Sequence, residues 1–442
     1  MQKQSLLNTL LASRGDAQAA RARLSAAKAR ADELEPWLRA FTSRADTYDV
    51  DAAVNGPLAG LPVGIKDLID TRDMPTAYGS PVYRGHQPSA DARIVESIRQ
   101  AGGVIFGKTV TTEFAWREPG PTVNPWNRLH TPGGSSSGSA AAVAAGIVPL
   151  ALGTQTVGSV IRPAAYCGVV GYKPSFGKVS RDGVHPLSGS LDHVGFFAQT
   201  VEGVALAHAL FVEHRSEVLA SLDAWTAWFP VNAPARLGVL RTPFWDRVQL
   251  AQKENFDASL ERLRAAGAML VELEYGADMQ AMVDAVQVIA CVEAHRAIGP
   301  IAARHDELVS EHMHTLIAAG AATRAAEYEA AIALQARVRR ESKTLLVGCE
   351  ALVTLSAPGE APAGLSDTGD GIFCAPWSLT GSPAVTVPSG RTANGLPLAF
   401  QVVGEFGADL RTLQIAAWVE SQLQAQWPAS SVSARYPEVA SA

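Results

Sequence analysis

"TPGGSSSGSAAA", residues 131–142, gathers three consecutive serines, a fourth at 139 and three glycines, then runs into the small apolar pattern "AVAAGI". Glycine and serine at this density let backbones approach closely and put several hydroxyls and N–H groups in one place. A flexible linker has a similar composition. Here, however, an apolar helix pattern follows directly, with ordered-looking sequence on both sides. Helix capping by Ser137 or Ser139 accounts for one hydroxyl. "GSSSG" also matches the hydrolase elbow G-x-S-x-G around Ser136, but the preceding "NRLHTPG" is no strand. Nor does the pattern around His193, His208 or His214 single out a base. "SAAK" (25–28) matches S-x-x-K by chance on an ordinary helix pattern.

A serine nucleophile without an obvious histidine needs another base. Lysine serves when burial keeps it neutral. Lys66, in "PVGIKDLID" (62–70), stands at the end of an apolar strand rather than on a solvated helix face. The plainer alternative for a lone lysine is a surface charge.

"GGVIFGKT" (102–109) fits the phosphate-loop pattern G-x-x-x-x-G-K-[ST] in full. That loop must lie between a strand and a helix, so that the helix N-terminus faces the phosphates. Here the helix comes first, and Val104, Ile105 and Phe106 call for burial. The segment reads as a helix–turn–strand unit in which Lys108 is no phosphate ligand.

The 442 residues are 47% hydrophobic and 18% charged, with a formal net charge of −6 and no long basic run. Nucleic-acid binding is disfavoured. Cys167, Cys291, Cys349 and Cys374 are far apart, which argues against a disulfide framework or a structural zinc site and suits a reducing cytoplasm. No signal-peptide pattern and no stretch of ~20 apolar residues is seen. No His or carboxylate cluster has metal-ligand spacing.

Helices are expected over 5–32, with Gly15 as a weak point, over 89–103 with Ser89 as cap, and over 138–147, 200–213, 250–266 and 408–424, while "SVIRPAAYCG" (159–168) reads as a short helix or turn despite Pro163. A helical stretch is expected from about 278 to 346. Strands are expected as a short apolar run within "PLAGLPVGIKDLID" (57–70), at 104–106, 148–156, 168–175, 236–242, 268–275 and 351–356, then in "PAVTVPSG" and 398–404. Alternating short strands and helices predict an α/β core with helices on both faces.

Three segments together resemble the amidase signature family: "GLPVGIKDLID", "TPGGSSSGSAAAVAAGIVPLALGTQTVGSVIRPAAYCGVVGYKPSFGKVS" and "GSPAVTVPSG". The likeness runs over nearly the whole chain and includes "AGGVIFGKTVTTEFAW". With "SDTGDG" (366–371), it looks most similar to the malonamidase branch. The resemblance implies one α/β/α sandwich domain over 1–442 with a large mixed sheet. A helical segment would occupy about 1–45, the signature core 57–215 and a helical insert 278–346.

The resemblance also implies a Ser–cis-Ser–Lys triad, with Ser159 as nucleophile, Ser135 as bridge through a cis bond from Gly134, and Lys66 as base. Backbone N–H groups of Thr156, Val157, Gly158 and Ser159 would hold the oxyanion. Thr154 and Ser137 would hydrogen-bond the triad, and Arg162 would face the pocket or brace it, or bind a substrate carboxylate. The family's usual Gly-Gly-Ser is Val-Gly-Ser here, so either φ at Val157 is ordinary or the turn is altered. The implied function is metal- and cofactor-free hydrolysis of a small amide in the cytoplasm, without nucleic acid or membrane, with homodimerisation open. Two alternatives stand beside it: the glutamine-hydrolysing subunit of a tRNA-dependent amidotransferase, and a non-catalytic binding homologue.

Overall fold

The computed structural model describes residues 5–234 and 236–423. Its strands are β1 (Phe41–Arg44), β2 (Leu61–Lys66), β3 (Gly103–Thr109), β4 (Leu150–Gln155), β5 (Val170–Lys173), β6 (His193–Ala198), β7 (Arg236–Leu240), β8 (Met269–Leu273), β9 (Ala351–Leu355), β10 (Ala384–Arg391) and β11 (Pro397–Val403). They form one mixed sheet in the order β1-β3-β2-β4-β6-β5-β10-β11-β9-β7-β8. β2 runs parallel to β3 and β4, β7 parallel to β8 and β9, and the pairs through the middle are antiparallel.

The central strands are buried on both faces, and successive residues point to opposite layers. Leu150, Leu152 and Phe196 join one core cluster, whereas Ala151 and Phe197 join the other. The first layer is covered by helices Leu6–Ser13, Arg93–Gln100, Val201–Phe211, Leu250–Ala265 and Asp409–Leu423. Helices Ala17–Leu38 and Ser137–Ala144 cover the second. The expected α/β sandwich is therefore present.

Several local expectations change. The segment 5–32 is two helices, because Gly15 takes φ +76° and Asp16 caps the second through the amides of Gln18 and Ala19. Ser89 caps nothing; the helix starts at Arg93, after Ala92. Neither Ser137 nor Ser139 caps the helix Ser137–Ala144, whose N-cap position is Ser136. β1 and β6 were not expected. The helical stretch expected at about 278–346 is three helices, Gly276–Ala302, Glu311–Ala322 and Ala325–Arg340, which join two further apolar clusters.

Candidate active site

The C-terminal ends of the parallel strands β2 and β4 bring the serine-rich block and Lys66 together. The helix Ser137–Ala144 presses on the end of β3: a Cβ on Gly138 would come 2.2 Å from Ala40 O and 2.4 Å from Val110 N. Gly133, at φ +81°, turns the chain into the block. The Gly134–Ser135 peptide bond is cis.

Lys66 is fully buried, with Nζ 2.7 Å from Ser135 Oγ and 2.7 Å from Thr154 Oγ1. Burial drives its pKa well below the ordinary lysine value; Asp192 opposes that fall and Arg162 adds to it. A neutral amine here has a lone pair to offer a hydroxyl, which an ammonium lacks.

β4 ends at Gln155, and residues 156–160 turn into the helix Ile161–Cys167. Gln155 holds this turn: its Oε1 accepts from the amides of Val160 (2.9 Å) and Ile161 (3.1 Å). Thr156 Oγ1 donates to Asp192 Oδ1 at 2.6 Å. Asp192 Oδ2 in turn accepts from the amides of Leu187 and Ser188. Among the described residues, no hydrogen bond engages the N–H groups of residues 156–159. Val157 is absent from the left-handed residues, so its φ is ordinary and the missing glycine strains nothing.

Ser135, Ser159, Thr156, Val157 and Arg162 line one cleft of about 170 Å³. Its other walls are the loop around Ala115 and Trp116, Val283 and Val286 from the insert helix Gly276–Ala302, and the loop Asp367–Ile372. Arg162 braces these parts: Nη2 donates to Gly134 O (2.7 Å) and Thr368 Oγ1 (3.2 Å), and Nη1 to Gly369 O (2.8 Å). Among the described residues its buried Nε has no hydrogen-bond partner.

A family model described as Amidase matches residues 17–413. The chain belongs to the amidase family. It is an amidase-family enzyme acting on C–N amide bonds. It is 34% identical over 400 residues, 81% of each chain, to the A subunit of Glutamyl-tRNA(Gln) amidotransferase from Chlamydia pneumoniae. The crystal structure of the same subunit from Thermotoga maritima is 30% identical with a TM-score of 0.76, covering 91% of this chain and 92% of that one. A peptide amidase in complex with the competitive inhibitor chymostatin is 28% identical with a TM-score of 0.77, covering 92% and 95%.

Within this amidase, the remaining candidates resolve on geometry. Lys108 is buried in β3; its Nζ donates to Ile69 O and Thr76 Oγ1 and lies 3.7 Å from Asp67 Oδ1, which leaves it a structural cation. Ser136 is no elbow nucleophile: its Oγ donates to Thr154 O and accepts from Thr154 N. Ser137 Oγ donates to Val110 O (3.3 Å) rather than to the triad expected for it, because it is the first residue of a helix lying on that strand end. His193 Nδ1 faces Leu191 O (2.6 Å). Gln155 and Asp192 escaped sequence reasoning. Asp192 lies 36 positions from the Thr156 that it holds, and no local pattern announces such a contact.

Proposed function

We propose that the chain hydrolyses the C–N bond of a small-molecule amide through an acyl-enzyme on Ser159. The observation that carries this reading is the buried Lys66 at 2.7 Å from Ser135 Oγ, with Ser135 and Ser159 on one cleft. Neutral Lys66 takes a proton from Ser159 by way of Ser135, and Ser159 Oγ attacks the amide carbonyl. The N–H groups of Thr156, Val157, Gly158 and Ser159, in the turn braced by Gln155 and Asp192, receive the oxyanion. The relay returns the proton to the leaving amine, and water releases the acid. No metal enters this scheme, and among the described residues no His, Cys, Asp or Glu group could hold one.

Val157, Val283, Val286 and Ile372 give the cleft an apolar wall, while Arg117, Gln287, Asp367 and Asp370 give it polar ones, a lining that suits an amide with both hydrocarbon and polar parts. With both Nη atoms of Arg162 on backbone carbonyls, we assign it to bracing rather than to a substrate carboxylate. Placement in the malonamidase branch rests on motif likeness alone. No described helix is long and apolar enough to cross a membrane, and four buried free cysteines suit the cytoplasm.

The identity to amidotransferase A subunits favours a second reading, glutamine hydrolysis within a complex. The deciding test is a panel of aliphatic and aryl amides and L-glutamine, given to the purified chain alone with released ammonia or amine as readout. Turnover of simple amides supports the free-standing amidase. Activity on glutamine alone, and only with added partner proteins, overturns it.

A further inference from the structure

The loop 187–192 is gripped from two sides. On the inner side, Asp192 takes the amides of Leu187 and Ser188 and reaches Thr156 Oγ1 at 2.6 Å. On the outer side stands Glu293, on the insert helix Gly276–Ala302 that also supplies Val283 and Val286 to the cleft. Its Oε2 accepts from Ser188 Oγ (2.6 Å) and the Ser190 amide (2.8 Å). Its Oε1 accepts from Ser190 Oγ (2.6 Å) and Tyr328 Oη (2.8 Å). Helix Ala325–Arg340 adds Gln335 and Arg339, both donating to Ser190 O. A half-buried carboxylate with four donors is held in one place and one charge state: burial pushes its pKa up, but the bonds from Ser188, Ser190 and Tyr328 bring it below the usual value.

The geometry points to Glu293 as a positioning residue for the Thr156–Ser159 turn, acting through the loop 187–192 and Asp192, so that the helix bearing the acyl-side wall and the turn bearing the oxyanion amides form one hydrogen-bonded unit. This rests on the acyl-enzyme reading above. Glu293 touches no reacting atom. Its effect is to keep Asp192 aimed at Thr156, and a shift of the turn by a fraction of an ångström degrades oxyanion stabilisation. Glu293→Gln preserves the shape but removes the charge and puts an NH₂ group where two of the four donors were accepted, so that hydroxyls must reverse their bonds to meet it.

The test measures how fast a fluorophosphonate labels Ser159, by intact mass and peptide mapping, which needs no knowledge of the substrate. Wild type, Glu293→Gln, Asp192→Asn and the double variant are compared, with the milder Tyr328→Phe and Ser190→Ala read alongside in case Glu293→Gln fails to fold. Labelling should slow about tenfold in Glu293→Gln and about threefold in the milder pair. The double variant should be no slower than Asp192→Asn alone, because both act through one loop. Unchanged labelling in folded Glu293→Gln, or additive losses in the double variant, overturns the inference; for an unfolded Glu293→Gln, unchanged labelling in both milder variants does so. Failure of wild type to label at Ser159 at all overturns the acyl-enzyme reading, and this inference falls with it.

Discussion

Lys66 Nζ lies 2.7 Å from Ser135 Oγ at the end of a strand whose every residue is buried. Its other near neighbours are Thr154 Oγ1 and Thr154 O, and among the described residues no carboxylate pairs with it. Burial of a lysine so placed favours the neutral amine over the cation, which is the form that the proposed relay uses.

Removing members of the relay should have graded effects. Ser159→Ala should lower kcat about 10⁴-fold or more, and Lys66→Ala nearly as much. Ser135→Ala should retain a trace, since water can replace a bridging hydroxyl. Steady-state rates on any amide turned over by wild type check this; wild-type-like turnover in Ser159→Ala contradicts it.

The pH profile follows from the same burial. The folded pKa of Lys66 lies well below the ordinary 10.5, and the proposed relay uses the neutral form. The kcat/KM value should therefore rise with pH along a limb centred well below 10.5. A rising limb with its midpoint at the ordinary lysine value contradicts the assignment.

The linked stability effect has a definite sign. Between its folded pKa and 10.5, Lys66 binds fewer protons folded than unfolded, so stability rises with pH through that window. Below it, burial of this lysine burdens the fold. Lys66→Met should be inactive yet melt higher than wild type at about pH 7, with the difference shrinking toward pH 10.5. A lower melting temperature at neutral pH contradicts this.

Much of this arrangement was legible in the sequence, for identifiable reasons. Lys66 showed itself as one charge closing an apolar run, and β9 to β11 as β-branched runs between turn residues. β6 was missed because "HVGFFA" is buried on both faces and lacks alternation, and β1 because "FTSR" is a short, mostly polar edge strand. Asp192 and Glu293 act on residues 36 and about 105 positions away, so their roles exist only once the loop 187–192 is folded between them.

Val157 lines the cleft where the proposed mechanism would seat the acyl group. Its side chain stands next to Gly371, where a Cβ would come 3.4 Å from Val157 Cγ1. Val157→Gly should raise the relative rate on bulkier acyl groups by roughly tenfold, the range expected for small changes in pocket volume. Identical relative rates across a size series of amides show that the side chain does not bound the acyl site.

The proposed mechanism stands or falls on a covalent intermediate at Ser159. Hydroxylamine, small and more nucleophilic than water, should compete with water for one acyl-enzyme and give a hydroxamate whose share rises with its concentration. The most direct measurement is rapid quench during turnover, with intact-mass and peptide analysis beside hydroxamate yield. An acyl adduct is expected on the Ser159 peptide, absent in Ser159→Ala, together with a concentration-dependent hydroxamate. Turnover with neither adduct nor hydroxamate contradicts it.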